Sequence, residues 1–212
     1  MKKGIIHFHS TFSYDGLNTI TSIIKFVNKY KLDFIVLTDH DTIEGSKKLQ
    51  EELKKNNLEI EVPIAAEYKT DFGDVIALFI KKEIKSRNFK EFVKEVREQN
   101  GILILPHPYD GHININEISK CVDAIEVFNS RSSTFNNFKS YVLAKKLKKP
   151  MVWASDSHVP WSMKNVLLTF SEKLSLRNAI MNDELIPLKA NKSSFWDLVF
   201  SQIKKGIVTK NL

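Results

Sequence analysis

Short apolar runs with β-strand character alternate with helix-like segments along most of this chain, and that alternation most constrains its fold. The strand-like runs cover residues 4–8, 34–37, 59–65, 75–80, 102–105, 124–128 and 151–154. Alternation of this kind is typical of α/β proteins built on a parallel sheet or barrel. The chain has 212 residues and no linker-like stretch, so we expect a single α/β domain.

The segments between these runs carry apolar residues at helical spacing, at 19–30, 43–54, 88–99 and 134–147. Asp41 followed by Glu44 predicts a capping box at the start of the second helix. We expect residues 182–194 to form a surface loop between two further helix-like segments, 175–181 and 194–205. Cys121 is expected to be a small buried hydrophobic residue.

Composition limits the classes of site and partner. The formal net charge of +7 comes almost entirely from lysines scattered among glutamates, which favours a solvated surface over a dedicated nucleic-acid interface. A single cysteine excludes an internal disulfide and a cysteine-rich zinc site, so a metal would need histidine and carboxylate ligands. The first ten residues are too short an apolar stretch for a signal peptide or membrane span, so we expect a cytoplasmic protein without membrane contact.

Polar residues follow the strand-like runs rather than precede them. The segments LTDHDT, IAAEYK, LPHPYD, IEVFN and WASDSH all show this order. Active sites of α/β barrels and open parallel sheets assemble at the carboxyl ends of the strands. The sequence therefore predicts one shared site at that end of the sheet.

Pairs of residues two positions apart recur among these polar groups. His7 and His9 are so spaced on a predicted strand, which points both imidazoles to the same face. Asp156 and His158 have the same spacing. A lone His-x-His is a weak pattern, but its place at the end of the first apolar run favours a shared metal ion.

His40 stands between Asp39 and Asp41, and neighbouring side chains diverge. We therefore assign His40 to a metal, Asp41 to the helix cap and Asp39 to support of the ligands. Glu67 could bridge two metals through its two oxygens, although alone it would be an ordinary exposed glutamate. His107 lies between two prolines, which should fix the backbone and direct the ring.

The candidate ligands form an ordered set of nitrogen and oxygen donors sufficient for two or three divalent ions: His7, His9, Asp15, His40, Glu67, His107, Asp156 and His158. Asp15 could also be a plain turn aspartate before Gly16. His112 matches no ligand position, and we expect it in an exposed loop, with substrate contact as the alternative. Arg131 follows a strand and could hold a substrate phosphate through its planar guanidinium, or form an exposed salt bridge.

The order HxH, SxDG, TDHD, a glutamate after a strand, PHP, IEVFN and SDSH resembles the PHP (polymerase and histidinol phosphatase) family. The resemblance runs from about His7 to His158. It implies a distorted (β/α)7 barrel, with residues 1–212 forming one PHP-type metal-dependent phosphoesterase domain. It also implies two or three divalent ions, of zinc, manganese or iron.

Position by position, the resemblance implies three metal sites. One would use His7, His9, Glu67 and Asp156, a second Asp15, His40 and His158, and a third Glu67 with His107. Asp74 stands where many members carry a histidine, and it could contribute an oxygen ligand to the third site. Among the ligands, we assign His40, Asp156 and His158 to catalysis.

The resemblance implies an enzyme that hydrolyses a phosphoester of a small phosphorylated metabolite or nucleotide through metal-activated water. One alternative is a 3′–5′ exonuclease or oligonucleotide-trimming enzyme, which should show a basic groove with aromatic platforms for nucleic acid. A second is a noncatalytic, metal-stabilised regulatory module, and a third is hydrolysis of a non-phosphate ester. The sequence does not define an oligomeric state.

Overall fold

The computed structural model describes residues 1–209, which form two β-sheets with helices packed around them. The strands are β1 (Lys2–Ile6), β2 (Phe34–Val36), β3 (Ala65–Thr70), β4 (Gly73–Leu78), β5 (Ile102–Leu105), β6 (Ala124–Asn129), β7 (Met151–Ala154), β8 (Val166–Phe170) and β9 (Ile186–Ala190). The first sheet has the order β2-β1-β8-β9, and the second β3-β4-β5-β6-β7. A mixed α/β class is thus confirmed.

The helices follow the predicted segments closely where the apolar periodicity is clear. They are α1 (Ile20–Tyr30), α2 (Glu44–Lys55), α3 (Phe89–Glu98), α4 (Ile115–Cys121), α5 (Thr134–Leu147), α6 (Leu176–Met181) and α7 (Phe195–Thr209). In α3 the apolar face buries Phe89, Phe92 and Val96, at the three- and four-residue spacing that lines one side of a helix. No helix among the described residues is long and apolar enough to cross a membrane.

The sheets are mixed rather than wholly parallel. The pairs β1–β2, β5–β6 and β6–β7 are parallel, as the alternation predicts. The pairs β3–β4, β4–β5, β1–β8 and β8–β9 are antiparallel. Only two residues separate β3 from β4, and Gly73 takes a φ of 125° there. A connection that short can join only antiparallel strands.

Isolated backbone bridges connect strand ends beyond the two ladders. Phe8 bridges Ser157, and His40 bridges Glu67. The first brings the segment after β1 beside the segment after β7, and the second brings the segment after β2 beside β3. These bridges therefore gather the polar clusters at one end of the fold.

Two strand predictions need correction. Residues 59–64 lie outside the strand ladders, and β3 starts only at Ala65; Pro63 lacks the N–H that a ladder needs. The predicted loop 182–194 contains β9, which pairs with β8. This strand lies at the sheet edge, where Pro187 is tolerated, and its weak apolar alternation concealed it.

Two local predictions are wrong. Helix α2 has Ile43 at its N-cap with no side-chain cap. Asp41 instead has a φ of 56°, and its carboxylate pairs with Arg87 at 3.0 Å, because this left-handed turn directs the side chain away from the helix. Cys121 is exposed, not buried, at the last position of α4.

Candidate metal centre

Side chains from β3 and from the segments after four other strands form one cluster, and part of this cluster lines a cavity of about 260 Å³. His7 and His9 follow β1, His40 follows β2, Glu67 lies within β3, His107 follows β5, and Asp156 and His158 follow β7. His7, His9 and Glu67 are essentially buried. The structure therefore brings the predicted ligands together where the strand pattern placed them.

His7, His9, Glu67 and Asp156 form the deepest group. The Nε2 atoms of His7 and His9 each lie 3.3 Å from the same Glu67 oxygen, Oε2. They lie 3.6 and 3.4 Å from Asp156 Oδ1. Four ligand atoms held at about 2.1 Å around a tetrahedral ion are spaced about 3.4 Å apart. The donor atoms of His7, His9 and Asp156 all lie within 4.8 Å of one another, and this spacing fits a divalent ion with Glu67 beside it.

Two buried nitrogens support this fit. His7 Nε2 and His9 Nε2 have no hydrogen-bond partner among the described residues. Buried polar atoms without partners are rare, and each calls for an explanation such as an ion. The nearest carboxylate oxygen, Glu67 Oε2, lies 3.3 Å from each of these nitrogens, which is longer than an ordinary hydrogen bond. The cluster therefore has the chemistry of a metal site.

Asp15, His40 and His158 form the second group. Asp15 Oδ2 lies 3.1 Å from His158 Nε2 and 3.5 Å from His40 Nε2. His9 joins this group in the described chain, with all four donor atoms within 4.8 Å of one another. Asp15 is therefore part of the cluster rather than a plain turn residue.

Glu67 links the groups. Its Oε1 lies 3.0 Å from His107 Nε2, while its Oε2 faces His7, His9 and, at 3.4 Å, His40 Nδ1. His7, Glu67 and His107 form the third set of donors that could hold an ion. A carboxylate in this position can bridge neighbouring ions through its two oxygens.

Glu126 is a buried residue of the site that the sequence analysis did not assign. Its Oε1 lies 2.5 Å from His7 Nδ1, and its Oε2 accepts hydrogen bonds from the His107 backbone N–H and Asn129 Nδ2. A carboxylate on one ring nitrogen fixes the tautomer that presents the other nitrogen to a metal. The available signal was a lone acid within the apolar run AIEVF.

Ser13 gives His9 similar support. Its hydroxyl lies 3.2 Å from His9 Nδ1 and accepts the backbone N–H of His40 at 2.7 Å. Asp39 is buried and accepts from both the N–H and the hydroxyl of Ser10. Asp39 therefore acts on the loop that carries His9, and contacts no candidate ligand ring directly.

The backbone is strained at several candidate ligands. His7, His107 and Asp156 have φ values of 59°, 28° and 45°. Non-glycine residues rarely adopt this region, and such strain concentrates at functional sites. The flanking prolines predicted a fixed backbone at His107, and its left-handed conformation is the unexpected result.

Electrostatics divide the imidazoles into two classes. Burial opposes the charge of His9 and His107, but nearby carboxylates, Glu67 above all for His107, raise the pKa of each to about 9. Burial and the neighbouring His9 lower the pKa of His158 to about 4. Burial would raise the pKa of Glu67 and Asp156, yet the surrounding imidazoles hold both well below the usual range. A metal must therefore displace protons when it binds.

The remaining predicted residues have different surroundings. Asp74 lines the cavity but belongs to none of the three donor sets among the described residues, so its role as a ligand stays a prediction. Arg131 Nη1 lies 2.6 Å from His158 Nδ1 and Nε lies 3.9 Å from Asp156. It therefore faces the site rather than forming an exposed salt bridge.

His112 lies in a loop, as expected, but it is not exposed. Its ring is half-buried, with Nε2 2.7 Å from the Asp74 carbonyl and the ring centre 5.5 Å from that of His107. Gly73 permits this approach, because a Cβ there would lie only 2.5 Å from the His112 ring. His112 therefore packs behind a candidate ligand.

The metal-free protein should become less stable as the pH rises from about 6.5 to 9. In that window the folded state keeps protons on His9 and His107 that the unfolded chain has released. The stability of the metal-loaded protein should stay nearly constant over the same window, because neither the metal-bound imidazoles nor those of the unfolded chain carry a proton there. Melting temperatures of both forms across this range test the prediction, and parallel curves would contradict it.

Comparison with known proteins agrees with this geometry. The sequence model of the PHP domain matches residues 6–115. Uncharacterized protein MJ0417 of Methanocaldococcus jannaschii is 30% identical over 210 aligned residues, covering 88% of this chain and 83% of the relative. The chain belongs to the PHP domain family. A second protein of the same organism, MJ1587, is 29% identical over 68% of this chain and 93% of its own length.

Solved structures share the fold. One is a two-domain protein of Bacteroides vulgatus containing a predicted PHP-like metal-dependent phosphoesterase, with a TM-score of 0.74 and 21% identity. The match covers 89% of this chain and 65% of that protein, so this chain spans less than two thirds of it. An amidohydrolase from Chromobacterium violaceum, with bound sulfate and no metal, has a TM-score of 0.64 at 13% identity, covering 87% of this chain and 97% of that one.

Proposed function

We propose that this protein is a metal-dependent phosphoesterase that hydrolyses a small phosphorylated metabolite or nucleotide. The observation that carries the proposal is three donor sets that overlap through His7 and His9, beside a Glu67 carboxylate that lies 3.0–3.3 Å from His7, His9 and His107. The ions would be zinc, manganese or iron, which accept imidazole and carboxylate ligands. Bound divalent ions lower the pKa of water toward about 7 and offset charge on phosphate oxygens.

The candidate ligands divide among three ions. His7, His9, Glu67 and Asp156 would hold one ion, and Asp15, His40 and His158 a second. The third would use Glu67 and His107, with Asp74 as a further oxygen donor. This assignment retains the order of the motifs, and short distances between donor atoms within each group support it.

Arg131 is suited to orient the phosphate. Its guanidinium lies beside Asp156 and His158, and Nη2 donates to Ser201 on α7 at 3.2 Å. These contacts hold the planar group at the cavity wall, where its N–H groups could pair with phosphate oxygens. A cavity of about 260 Å³ favours a small substrate, since ligand pockets for drug-sized molecules span about 300–1,000 Å³.

The proposal extends to the architecture. We propose that the bridges Phe8–Ser157 and His40–Glu67 close the two sheets into a distorted (β/α)7 barrel. We also propose that residues 1–212 form one PHP-type domain. Support comes from the contact of α7 with the site, through Ser201 on Arg131 and through Lys204, whose ammonium donates to the Ser13 carbonyl at 3.1 Å.

A phosphate-release screen with added manganese and zinc tests the activity. Sugar phosphates and mononucleotides should release phosphate, and dinucleotides should react more slowly. His40→Ala should lower turnover at least about 100-fold, since even loss of an outer partner costs 10–100-fold, while circular dichroism stays unchanged. Full turnover in this variant would contradict the ligand assignment. Preference for long oligonucleotides with steep salt dependence would favour a nuclease instead.

A further inference from the structure

A second pocket of about 290 Å³, here called the Asp110 pocket, adjoins the metal cavity. The two share His107, Arg131 and Asp156 as a common wall. The Asp110 pocket adds Asp110, Asn129, Ser132 and Leu198, none of which lines the metal cavity. A group attached to a phosphate at Arg131 would therefore have a place to extend.

The Asp110 carboxylate is held firmly but keeps acceptor capacity. Ser132 donates its hydroxyl to Oδ2, and Asn136 Nδ2 donates to Oδ1 at 2.7 Å. An ionised carboxylate has about four acceptor positions, so each oxygen can take another hydrogen bond. The side chain is half-buried, and its orientation is set before a ligand arrives.

The other polar groups of the pocket offer few donors. The side-chain amide of Asn129 donates to Glu126 and Asp156, and its oxygen accepts the backbone N–H of Arg131. Ser132 donates its proton to Asp110 and retains only acceptor positions. On the Asp110 side, away from Arg131 and the His107 ring, the pocket therefore presents acceptors and favours a ligand rich in hydrogen-bond donors.

Positive charge nearby favours neutral donors over an ammonium group. Arg131 forms one wall, and Lys192 lies close enough to feel the Asp110 carboxylate, which partly offsets the lowering of the Lys192 pKa by burial. Arg131 lies 3.9 Å from Asp156, the other carboxylate of the pocket, so both negative charges already have a positive neighbour and an added ammonium group would find neither uncompensated. Two hydroxyls on adjacent carbons suit a carboxylate with one free acceptor position on each oxygen.

We propose that the Asp110 pocket recognises adjacent hydroxyls on the leaving group, so that the substrates are phosphomonoesters of sugars or ribosides. The proposal rests on the phosphoesterase activity. Water adds across the P–O ester bond and yields inorganic phosphate beside Arg131 and the free alcohol in the Asp110 pocket. Asp110 is then a specificity residue that contacts the substrate.

Ribose 5-phosphate and 2-deoxyribose 5-phosphate differ in one hydroxyl and test this recognition directly. The wild-type protein with manganese should favour ribose 5-phosphate in kcat/KM by about 10-fold or more, because hydrogen bonds to a charged partner are the stronger class. Asp110→Asn should remove most of that preference. Asp183→Asn, which alters a carboxylate bound to the Met151 N–H at the other end of β7, is the matched control and should keep it.

These measurements distinguish an error in the assignment of the Asp110 pocket from an error in the proposed phosphoesterase activity. Equal wild-type kcat/KM for the two sugars, or an unchanged preference in Asp110→Asn, overturns the pocket assignment. Phenyl phosphate carries no hydroxyl and reports hydrolysis alone. If no ester is hydrolysed, the proposed phosphoesterase activity is wrong. In that case, calorimetric affinities for the same two sugar phosphates test whether the Asp110 pocket recognises the hydroxyls. Equal affinities, or binding of neither, overturn it.

Discussion

Glu67→Gln is expected to lower phosphoester hydrolysis at least about 100-fold and to reduce the metal content of the chain. Glu67 is the only described residue whose carboxylate faces His7, His9, His40 and His107 at 3.0–3.4 Å. Glutamine is nearly isosteric, but it replaces one bridging oxygen with a donor and removes the negative charge. Ions on either side of this residue lose a shared ligand, and outer partners alone already contribute 10–100-fold.

Metal analysis and phosphate release on the same preparation check this result. Glu172→Gln is the matched control, because this glutamate is exposed and pairs with the N-terminus at 3.1 Å. It should retain wild-type metal content and rate. If Glu67→Gln keeps its full metal content and activity, Glu67 does not bridge the ions.

Glu126→Gln is expected to weaken metal binding by about 10–100-fold while Glu67 and the histidines remain in place. Three donors converge on the Glu126 carboxylate: the His7 ring, the His107 backbone N–H and Asn129 Nδ2. A glutamine has one acceptor oxygen and would turn an N–H group toward one of those donors. His7 then loses the partner that holds its Nε2 toward the cavity.

Competition with a chelator measures this loss as a shift in apparent metal affinity. Because Glu126 acts through His7, saturating metal should restore much of the activity of the variant, whereas Glu67→Gln should stay impaired. Equal affinity in Glu126→Gln and wild type would contradict the positioning role. Loss of the folded state, seen by circular dichroism, would instead mark Glu126 as structural.

The predicted helices and most strands agree with the structure because their periodicity reflects burial on one face. The β5 and β7 ranges match the predictions, and α3 differs by one residue at each end. Pairing direction was not encoded in that periodicity. The hairpin between β3 and β4 depends on a two-residue turn followed by Gly73 at positive φ, so the expectation of parallel strands failed there.

The site was more predictable than its supporting residues. The position of polar residues after apolar runs correctly predicted that His7, Glu67 and His107 lie close together. His7, however, lies just beyond the end of β1 in a left-handed backbone conformation, and not within the strand. Glu126 escaped notice because the strand pattern treats a single acid as solvent-facing. Only the fold shows that its partner is the ring of His7.

The most direct test of the account is metal analysis of the wild-type protein purified with manganese and zinc supplied, together with phosphate release before and after chelation. Three overlapping donor sets predict more than one divalent ion per chain. Chelation should abolish phosphate release, and returning the metal should restore it. A chain that binds no metal, or a metal-free preparation that retains full hydrolytic activity, would contradict the account.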